Sequence, residues 1–129
     1  TPAIKMLREA VVRTVKTKGH LKGLDGRTLP IRSEHSALNM LLQSAGAILA
    51  KKATVILYEN LTRMGYVFGK DYALVAHVHD EVQLITKEEI STIVGQQAVT
   101  AFQEAGEYYG FRCPITGEFK VGQTWADTH

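Results

Sequence analysis

The sequence predicts an α+β fold in which long helices pack on a small antiparallel sheet. Three stretches carry apolar residues at every third or fourth position, which is the spacing of an amphipathic helix. Two further apolar segments, 72–78 and 81–86, are separated by only two residues, as in an antiparallel hairpin. No linker, repeat or low-complexity segment interrupts the chain, so we expect residues 1–129 to form a single unit.

The first helix and hairpin have clear boundary signals. A helix is predicted to begin at Pro2, because proline is tolerated in a first helical turn, and to end at Gly19. The pair Asp25-Gly26 then predicts a hairpin turn. Pro30 lacks the N–H that a central strand would donate, so the second arm of this hairpin is expected at a sheet edge.

The later elements follow from capping and periodicity. Ser33 is predicted to cap a long helix over residues 34–64. The apolar stripe of this helix is predicted to consist of Leu38, Leu42, Ala45, Leu49, Ile56, Leu61 and Met64. The capping-box pattern Thr-Lys-Glu-Glu at 86–89 predicts a third helix that runs to about Tyr109. A last strand is predicted at 118–121.

Composition excludes several classes of protein. Hydrophobic residues make up 45% of the chain and charged residues 22%, which is typical of a folded domain rather than a disordered chain. The single cysteine, Cys113, leaves no internal disulfide and fits a reducing compartment. No uninterrupted apolar run approaches the ~18 residues of a membrane span. We therefore expect a soluble intracellular protein with no membrane partner.

Charge is distributed unevenly along the chain. Residues 1–32 carry eight Lys or Arg against two acidic residues, a net charge of +6. The rest of the chain carries seven basic and eleven acidic residues, a net charge of −4. This asymmetry fits a face for a polyanion beside an acidic region that holds cations, and it equally fits a solvated basic helix beside ordinary surface acids.

The tip of the second predicted hairpin carries three consecutive ionisable residues, His79-Asp80-Glu81, where turn chemistry alone favours Gly, Asn or Pro. Carboxylates on a rigid tip suit Mg²⁺, which prefers oxygen ligands. Because side chains alternate along a strand, Asp80 and Glu81 are not expected to bind one ion together. A two-metal site needs further carboxylates. The tip is therefore either an incomplete metal site or an exposed polar turn.

A polar row lies near the start of the long helix. His35, Asn39 and Gln43 are spaced at i, i+4 and i+8, which places them on one face. Uncharged donors suit the minor-groove edge of DNA, where every base pair offers acceptors in nearly equivalent places. The same row is equally expected on a helix face that bonds to water or to a neighbouring strand.

Trp125 and the terminal His129 form a third feature. A tryptophan near a terminus usually packs the tail against the domain, and a terminal imidazole can bind phosphate or metal, although most do neither. The sequence contains no zinc-type spacing, phosphate-binding glycine loop or nucleophile elbow.

Four stretches, in order along the chain, resemble the C-terminal part of a family A DNA polymerase, the class of bacterial DNA polymerase I and its phage relatives. The stretch Gly23-Leu24-Asp25-Gly26-Arg27 is similar to the hairpin after the fingers, and His35-Ser36-Ala37-Leu38-Asn39 with Leu42-Gln43-Ser44-Ala45-Gly46-Ala47 is similar to the long palm helix. The stretch Val78-His79-Asp80-Glu81 is similar to motif C. The last stretch, Gly122-Gln123-Thr124-Trp125 with His129, is similar to the closing segment of the family. His35, in place of Arg, resembles the phage branch. The likeness spans essentially the whole chain.

The resemblance implies a fold and an activity. Residues 1–32 would be the helix and hairpin that follow the fingers, and residues 33–129 would be the palm portion with motif C. The complete enzyme would be a DNA-directed DNA polymerase that adds dNTPs to a primer 3′-OH on a DNA template by two-metal transfer with Mg²⁺. It would act in the cytoplasm of a bacterial or phage-infected cell.

The resemblance also implies roles for single residues. Asp80 would be the catalytic, metal-binding carboxylate, and Glu81 an adjacent catalytic acid in a supporting role. Four residues would contact DNA at the primer end or in the minor groove: His79, Gln43, Asn39 and His35. His129 would lie close to the active site. Thr124 stands where the family usually has Asn.

The family's motif A, motif B, thumb and exonuclease have no match in this sequence. We therefore expect one piece of a split or fragmented polymerase, inactive alone and active with the remainder of the enzyme, whether that is a separate chain or not. Thr1 fits a processed product, such as the residue after an excised intein. Two other functions stay open: a non-catalytic nucleic-acid-binding module and a Mg²⁺-dependent nuclease.

Overall fold

Three α-helices and two antiparallel hairpins alternate along the chain in the computed structural model, which describes residues 1–78 and 80–129. The predicted α+β class is confirmed. Contacts divide the chain into two compact units, Thr1–Ile48 and Leu49–His129.

The first unit begins with the helix and hairpin that the sequence predicts. Helix α1 spans Pro2–Lys18 and ends at Gly19, whose φ of 76° is the left-handed conformation that glycine adopts without strain. Strands β1 (His20–Lys22) and β2 (Thr28–Pro30) then pair antiparallel. The core of this unit is formed by Val11, Val15, Leu21, Leu29 and Ala37.

The long helix starts one turn later than predicted. The Ser33 hydroxyl accepts a hydrogen bond from the His35 N–H at 3.3 Å and caps a single 3₁₀ turn. Helix α2 follows over Ala37–Arg63, and Gly65 lies just beyond it with a φ of 93°. The predicted cap therefore forms, but on a tighter turn that leads into the α-helix.

The predicted apolar stripe of α2 is partly wrong. Leu42 and Met64 are 58% and 47% exposed. The buried residues of the helix are Ala37, Ile48, Ala50, Ala53, Ile56, Leu57 and Leu61. The predicted residues do not share one helical face, because the step from Ile56 to Leu61 is five residues, which is about 140° around the axis at 3.6 residues per turn.

The segment Glu34–Arg63 is long and apolar enough to cross a membrane, judged by length and composition only. Core helices of water-soluble proteins satisfy the same criterion. The property therefore gives weak evidence for a membrane span.

The second unit contains the hairpin predicted to carry the site. Strands β3 (Tyr72–Val78) and β4 (Glu81–Thr86) have the predicted bounds and pair antiparallel. Their register shifts by one residue between Leu74 and Ala76, which is a β-bulge. The ends of the hairpin are joined at Asp71 and Lys87, whose carboxylate and ammonium lie 2.9 Å apart.

Helix α3 spans Ser91–Tyr108, but the capping box predicted at 86–89 does not form. Thr86 is the last residue of β4, where it pairs with Tyr72, and a 3₁₀ turn over Glu88–Ile90 precedes the helix with no side-chain cap. Thr86 is therefore part of a paired strand and does not cap the helix.

The strand predicted at 118–121 is also wrong, because these residues have no ladder partner within the described chain. Phe119 instead packs its ring against Gly95 of α3. The main core of this unit is formed by Ala53, Ile56, Leu57, Leu61, Tyr72, Val94, Ala101 and Ala105.

Candidate functional site

Asp80 directly precedes β4 at the tip of the second hairpin and is exposed. Within the described part of the chain, no hydrogen bond or ion pair engages its carboxylate. The strand ends on either side are fixed by the pairing of Val78 with Glu81. Among the described residues, the fold therefore leaves the carboxylate of Asp80 exposed and unpaired directly before β4.

Glu81, the next residue, has a different environment. Its side chain is 40% exposed, and its two carboxylate oxygens lie 2.8 and 3.1 Å from Nε2 of His129. The other ring nitrogen of His129, Nδ1, lies 2.8 Å from the Trp125 carbonyl oxygen. Acceptors at both nitrogens favour the doubly protonated ring, so the Trp125 carbonyl and then Glu81 raise the pKa of His129.

Hydrogen bonds of Thr124 and Asp127 hold together the C-terminal turn that places His129 beside Glu81. The Asp127 carboxylate accepts the N–H groups of Gln123 and Thr124, each at 3.0 Å, and the Asp127 N–H donates to the Thr124 hydroxyl at 3.3 Å. Trp125 stacks on His129 with ring centroids 4.4 Å apart and planes 11° apart. The tryptophan remains 55% exposed, so it packs on the last residue more than on a core.

The sequence analysis did not identify the role of Asp127. The signal was present, because Thr-x-x-Asp at 124–127 is the spacing of a reciprocal cap. The pairing of Glu81 with His129 left no such local signal, since the two residues are 48 positions apart.

The polar row predicted on the long helix is only partly assembled. Gln43 Nε2 donates to Asn39 Oδ1 at 3.3 Å, and both side chains are exposed. His35 is also exposed but lies in the 3₁₀ turn before α2. These three residues belong to the unit Thr1–Ile48, whereas Asp80 and its neighbours belong to the unit Leu49–His129.

The described residues contain no group of three or more His, Cys, Asp or Glu that could together hold a metal ion. Asp80, which has no partner among the described residues, offers the oxygen ligands that Mg²⁺ prefers, whereas Glu81 is paired with His129. The donor set thus fits part of a magnesium shell. His79, predicted to contact the primer end, lies outside the described residues.

The four stretches that resemble a family A polymerase lie in the first hairpin, the long helix, the second hairpin and the C-terminal turn. The chain belongs to DNA polymerase family A, whose pattern matches residues 1–127. The resemblance seen in the sequence is therefore confirmed.

Individual relatives support the same family and its phage branch. The chain is 40% identical over 146 aligned positions to the DNA-directed DNA polymerases of Escherichia phage T7 and Enterobacteria phage T3, in each case over 100% of this chain and 21% of the relative. It is 29% identical to DNA polymerase I of Aquifex aeolicus, over 95% of this chain. The chain thus spans about a fifth of the length of the curated relatives it matches.

Among solved structures, the fold is similar to the POL domain of Pol1 from M. smegmatis, which was solved in complex with DNA primer-template and dNTP. The TM-score is 0.69 at 19% sequence identity, over 79% of this chain and 19% of that one. At this identity the likeness shows a shared fold.

Proposed function

We propose that this chain supplies the motif C part of a DNA-directed DNA polymerase. The complete enzyme adds dNTPs to a primer 3′-OH on a DNA template, and motifs A and B come from the rest of the enzyme or from a partner chain. The observation that carries the proposal is an uncommitted carboxylate, Asp80, on a hairpin tip within a chain that belongs to family A over residues 1–127.

In the proposed reaction, the primer 3′-oxygen attacks the α-phosphorus of the dNTP and pyrophosphate leaves. Mg²⁺, when bound, stabilises the charge on the attacking and leaving oxygens. Asp80 holds the metal with its exposed carboxylate, and the paired strands β3 and β4 fix the position of that carboxylate. A two-metal site needs more than one such ligand, and the family resemblance implies that motif A supplies the other catalytic aspartate.

Glu81 has a supporting role in this proposal. Its carboxylate is held by His129, which ties the C-terminal turn to the hairpin that carries Asp80. An acid that is already paired restricts the motion of the tip. Glu81 therefore helps to orient the neighbouring ligand.

The polar row contacts the minor groove in the proposed complex. Because Gln43 Nε2 donates to Asn39 Oδ1, the amide nitrogen of Asn39 is left free to donate, as is the second N–H of Gln43. Donors are what the N3 and O2 acceptors of the minor groove require. We assign His35 to the same groove and His79 to the primer end on the strength of the family motifs.

The partners that follow are primer-template DNA, a dNTP and the remainder of the polymerase, in the cytoplasm of a bacterial or phage-infected cell. The complex in which the mycobacterial POL domain was solved supports the first two. The family match supports the third, because the chain covers about a fifth of its relatives.

A chimera tests the proposal directly. This chain replaces the corresponding fifth of the phage T7 polymerase, and primer extension and primer-template binding are measured for the chimera and for Asp80→Asn. We expect extension to be lost and DNA binding to be retained, while Glu107→Gln, an exposed acid of α3, leaves both unchanged.

Other outcomes favour the alternatives. Normal extension by the Asp80→Asn chimera would refute the catalytic assignment. Metal-independent DNA binding by the chain with no extension in any chimera would indicate a nucleic-acid-binding module. Mg²⁺-dependent cleavage of DNA by the chain alone would indicate a nuclease.

A further inference from the structure

The segment after α3, residues 110–129, contains neither an α-helix nor a strand, yet it packs on α3 at two glycines. We call this segment the C-terminal strap. At Gly106, an added Cβ would lie 2.5 Å from Cγ1 and 3.1 Å from Cβ of Ile115. The strap is thus seated where α3 has no side chain.

The second contact is closer. At Gly95, an added Cβ would lie 2.5 Å from Cε2 and 2.6 Å from Cγ of Phe119, so the ring rests directly on the helix backbone. Glycine is one of the poorest helix formers, and Gly95 lies inside α3. The close approach of Phe119 is a packing reason for a glycine at this position.

The spacing of the two contacts fits a strap that runs back along α3. Gly95 and Gly106 are about three helical turns apart, which puts them on one face of α3, about 16 Å from each other. Ile115 and Phe119 are four residue steps apart, a backbone span of at most about 14 Å. Because both side chains reach towards the helix, a segment of this length contacts both glycines when it runs antiparallel to α3.

Beyond Phe119 the strap ends at the hairpin tip. Asp127 caps the last turn, Trp125 stacks on His129, and His129 holds the carboxylate of Glu81. We call the contact between Gly95 and the Phe119 ring the notch. We propose that the notch determines the position at which His129 meets Glu81, so that Gly95 and Phe119 are positioning residues for the hairpin that carries Asp80. Any effect of this positioning on catalysis rests on the proposed function. The structural effect of the notch on the hairpin does not depend on that function.

Trp125 is the only tryptophan of the chain, so its emission reports the stack on His129 without a label. His129→Ala gives the reference signal for an undocked turn. In Gly95→Ala the new methyl displaces the Phe119 ring, and in Phe119→Ala the contact is removed without adding an atom. We expect both variants to shift Trp125 emission in the direction of His129→Ala and to shift the backbone amide resonance of Asp80.

A matched control and a rescue separate positioning from general destabilisation. Gly46→Ala adds a methyl to a helical glycine that has open space around it, and it is expected to leave Trp125 emission unchanged. In the double variant Gly95→Ala with Phe119→Leu, the smaller side chain makes room for the methyl. We expect its emission and its Asp80 resonance to return towards those of the unmodified chain.

Three results would overturn the inference. The first is unchanged Trp125 emission and Asp80 resonance in a folded Phe119→Ala chain. The second is a double variant no closer to the unmodified chain than Gly95→Ala. The third is loss of the helical circular dichroism of the whole chain in both single variants, because the notch would then support the fold and not the position of the tip. None of these measurements depends on polymerase activity.

Discussion

Asp80 and Glu81 are neighbours in the chain, yet their carboxylates have different surroundings. Asp80 is exposed and unengaged within the described residues, whereas Glu81 is held by His129. Asp80 lies in the turn before β4, whereas Glu81 is the first residue of that strand. At the residue scale, Glu81 holds the C-terminal turn through His129, and we propose that the exposed Asp80 is the acid that binds a cation.

The pair of His129 with Glu81 makes a pH-dependent prediction. The Trp125 carbonyl and Glu81 raise the pKa of His129 in the folded chain, so the pair stabilises the fold fully below the unfolded histidine pKa of about 6.5. That stabilisation is lost as the pH rises through the raised pKa. Replacing His129 with Gln should therefore lower the melting temperature at pH 6 and have little effect at pH 9. A difference in melting temperature that does not vary with pH would contradict this assignment.

The amide pair of Asn39 and Gln43 makes a prediction about DNA. In the chimeric polymerase, Gln43→Ala should weaken primer-template binding about fivefold, the equivalent of one hydrogen bond at about 1 kcal/mol. The same change should alter the extension of mismatched primer ends, since the contact checks pair geometry. Gln96→Ala, which removes an exposed amide from α3, is the matched control. Equal extension of mismatched primer ends by the unmodified chimera, Gln43→Ala and Gln96→Ala would exclude a minor-groove role for Gln43.

Functional residues could be predicted from the sequence where they belong to a recognisable motif. Contacts that form only in the folded chain could not. Asp80, Glu81 and His129 were all named from the sequence. The contact between Glu81 and His129 was not, because it joins the hairpin to a turn that follows it by 48 positions. Asp127 could have been recognised from its Thr-x-x-Asp spacing, which is a local signal.

At the scale of elements, the second unit depends on the part of α2 that it buries. Leu61 is fully buried against the second-unit core, whereas Leu42 on the same helix is 58% exposed. Leu61→Ala should lower the free energy of unfolding by about 2–5 kcal/mol through lost burial and a residual cavity. Leu42→Ala should change it by less than about 0.5 kcal/mol. Denaturant titration followed by circular dichroism measures both, and equal losses would contradict the observed phase of α2.

Element bounds were predictable where local chemistry decides them. Gly19 ends α1 because it adopts a positive φ, and the two apolar segments predicted at 72–78 and 81–86 match strands β3 and β4 residue for residue. Two of the expectations that failed depended on tertiary neighbours. Thr86 pairs in a strand instead of capping α3, and Phe119 packs on a glycine of α3 instead of joining a sheet.

At the scale of the whole molecule, the basic residues and the hairpin with Asp80 lie in different parts of the chain. The first 32 residues carry a net charge of +6, and the hairpin with Asp80 lies in the acidic remainder. The chain covers about a fifth of its phage relatives, and its described residues do not by themselves assemble a metal site. We infer that the chemistry requires carboxylates from the rest of the polymerase.

A crystal structure of the chimeric polymerase with primed template, a non-hydrolysable dNTP and Mg²⁺ tests the proposal that Asp80 holds a catalytic cation. We predict a carboxylate oxygen of Asp80 at about 2.0–2.1 Å from a magnesium ion, the distance typical of this cation. A structure in which both magnesium ions are fully liganded by other groups, with the hairpin tip remote from them and from the primer end, would contradict the claim.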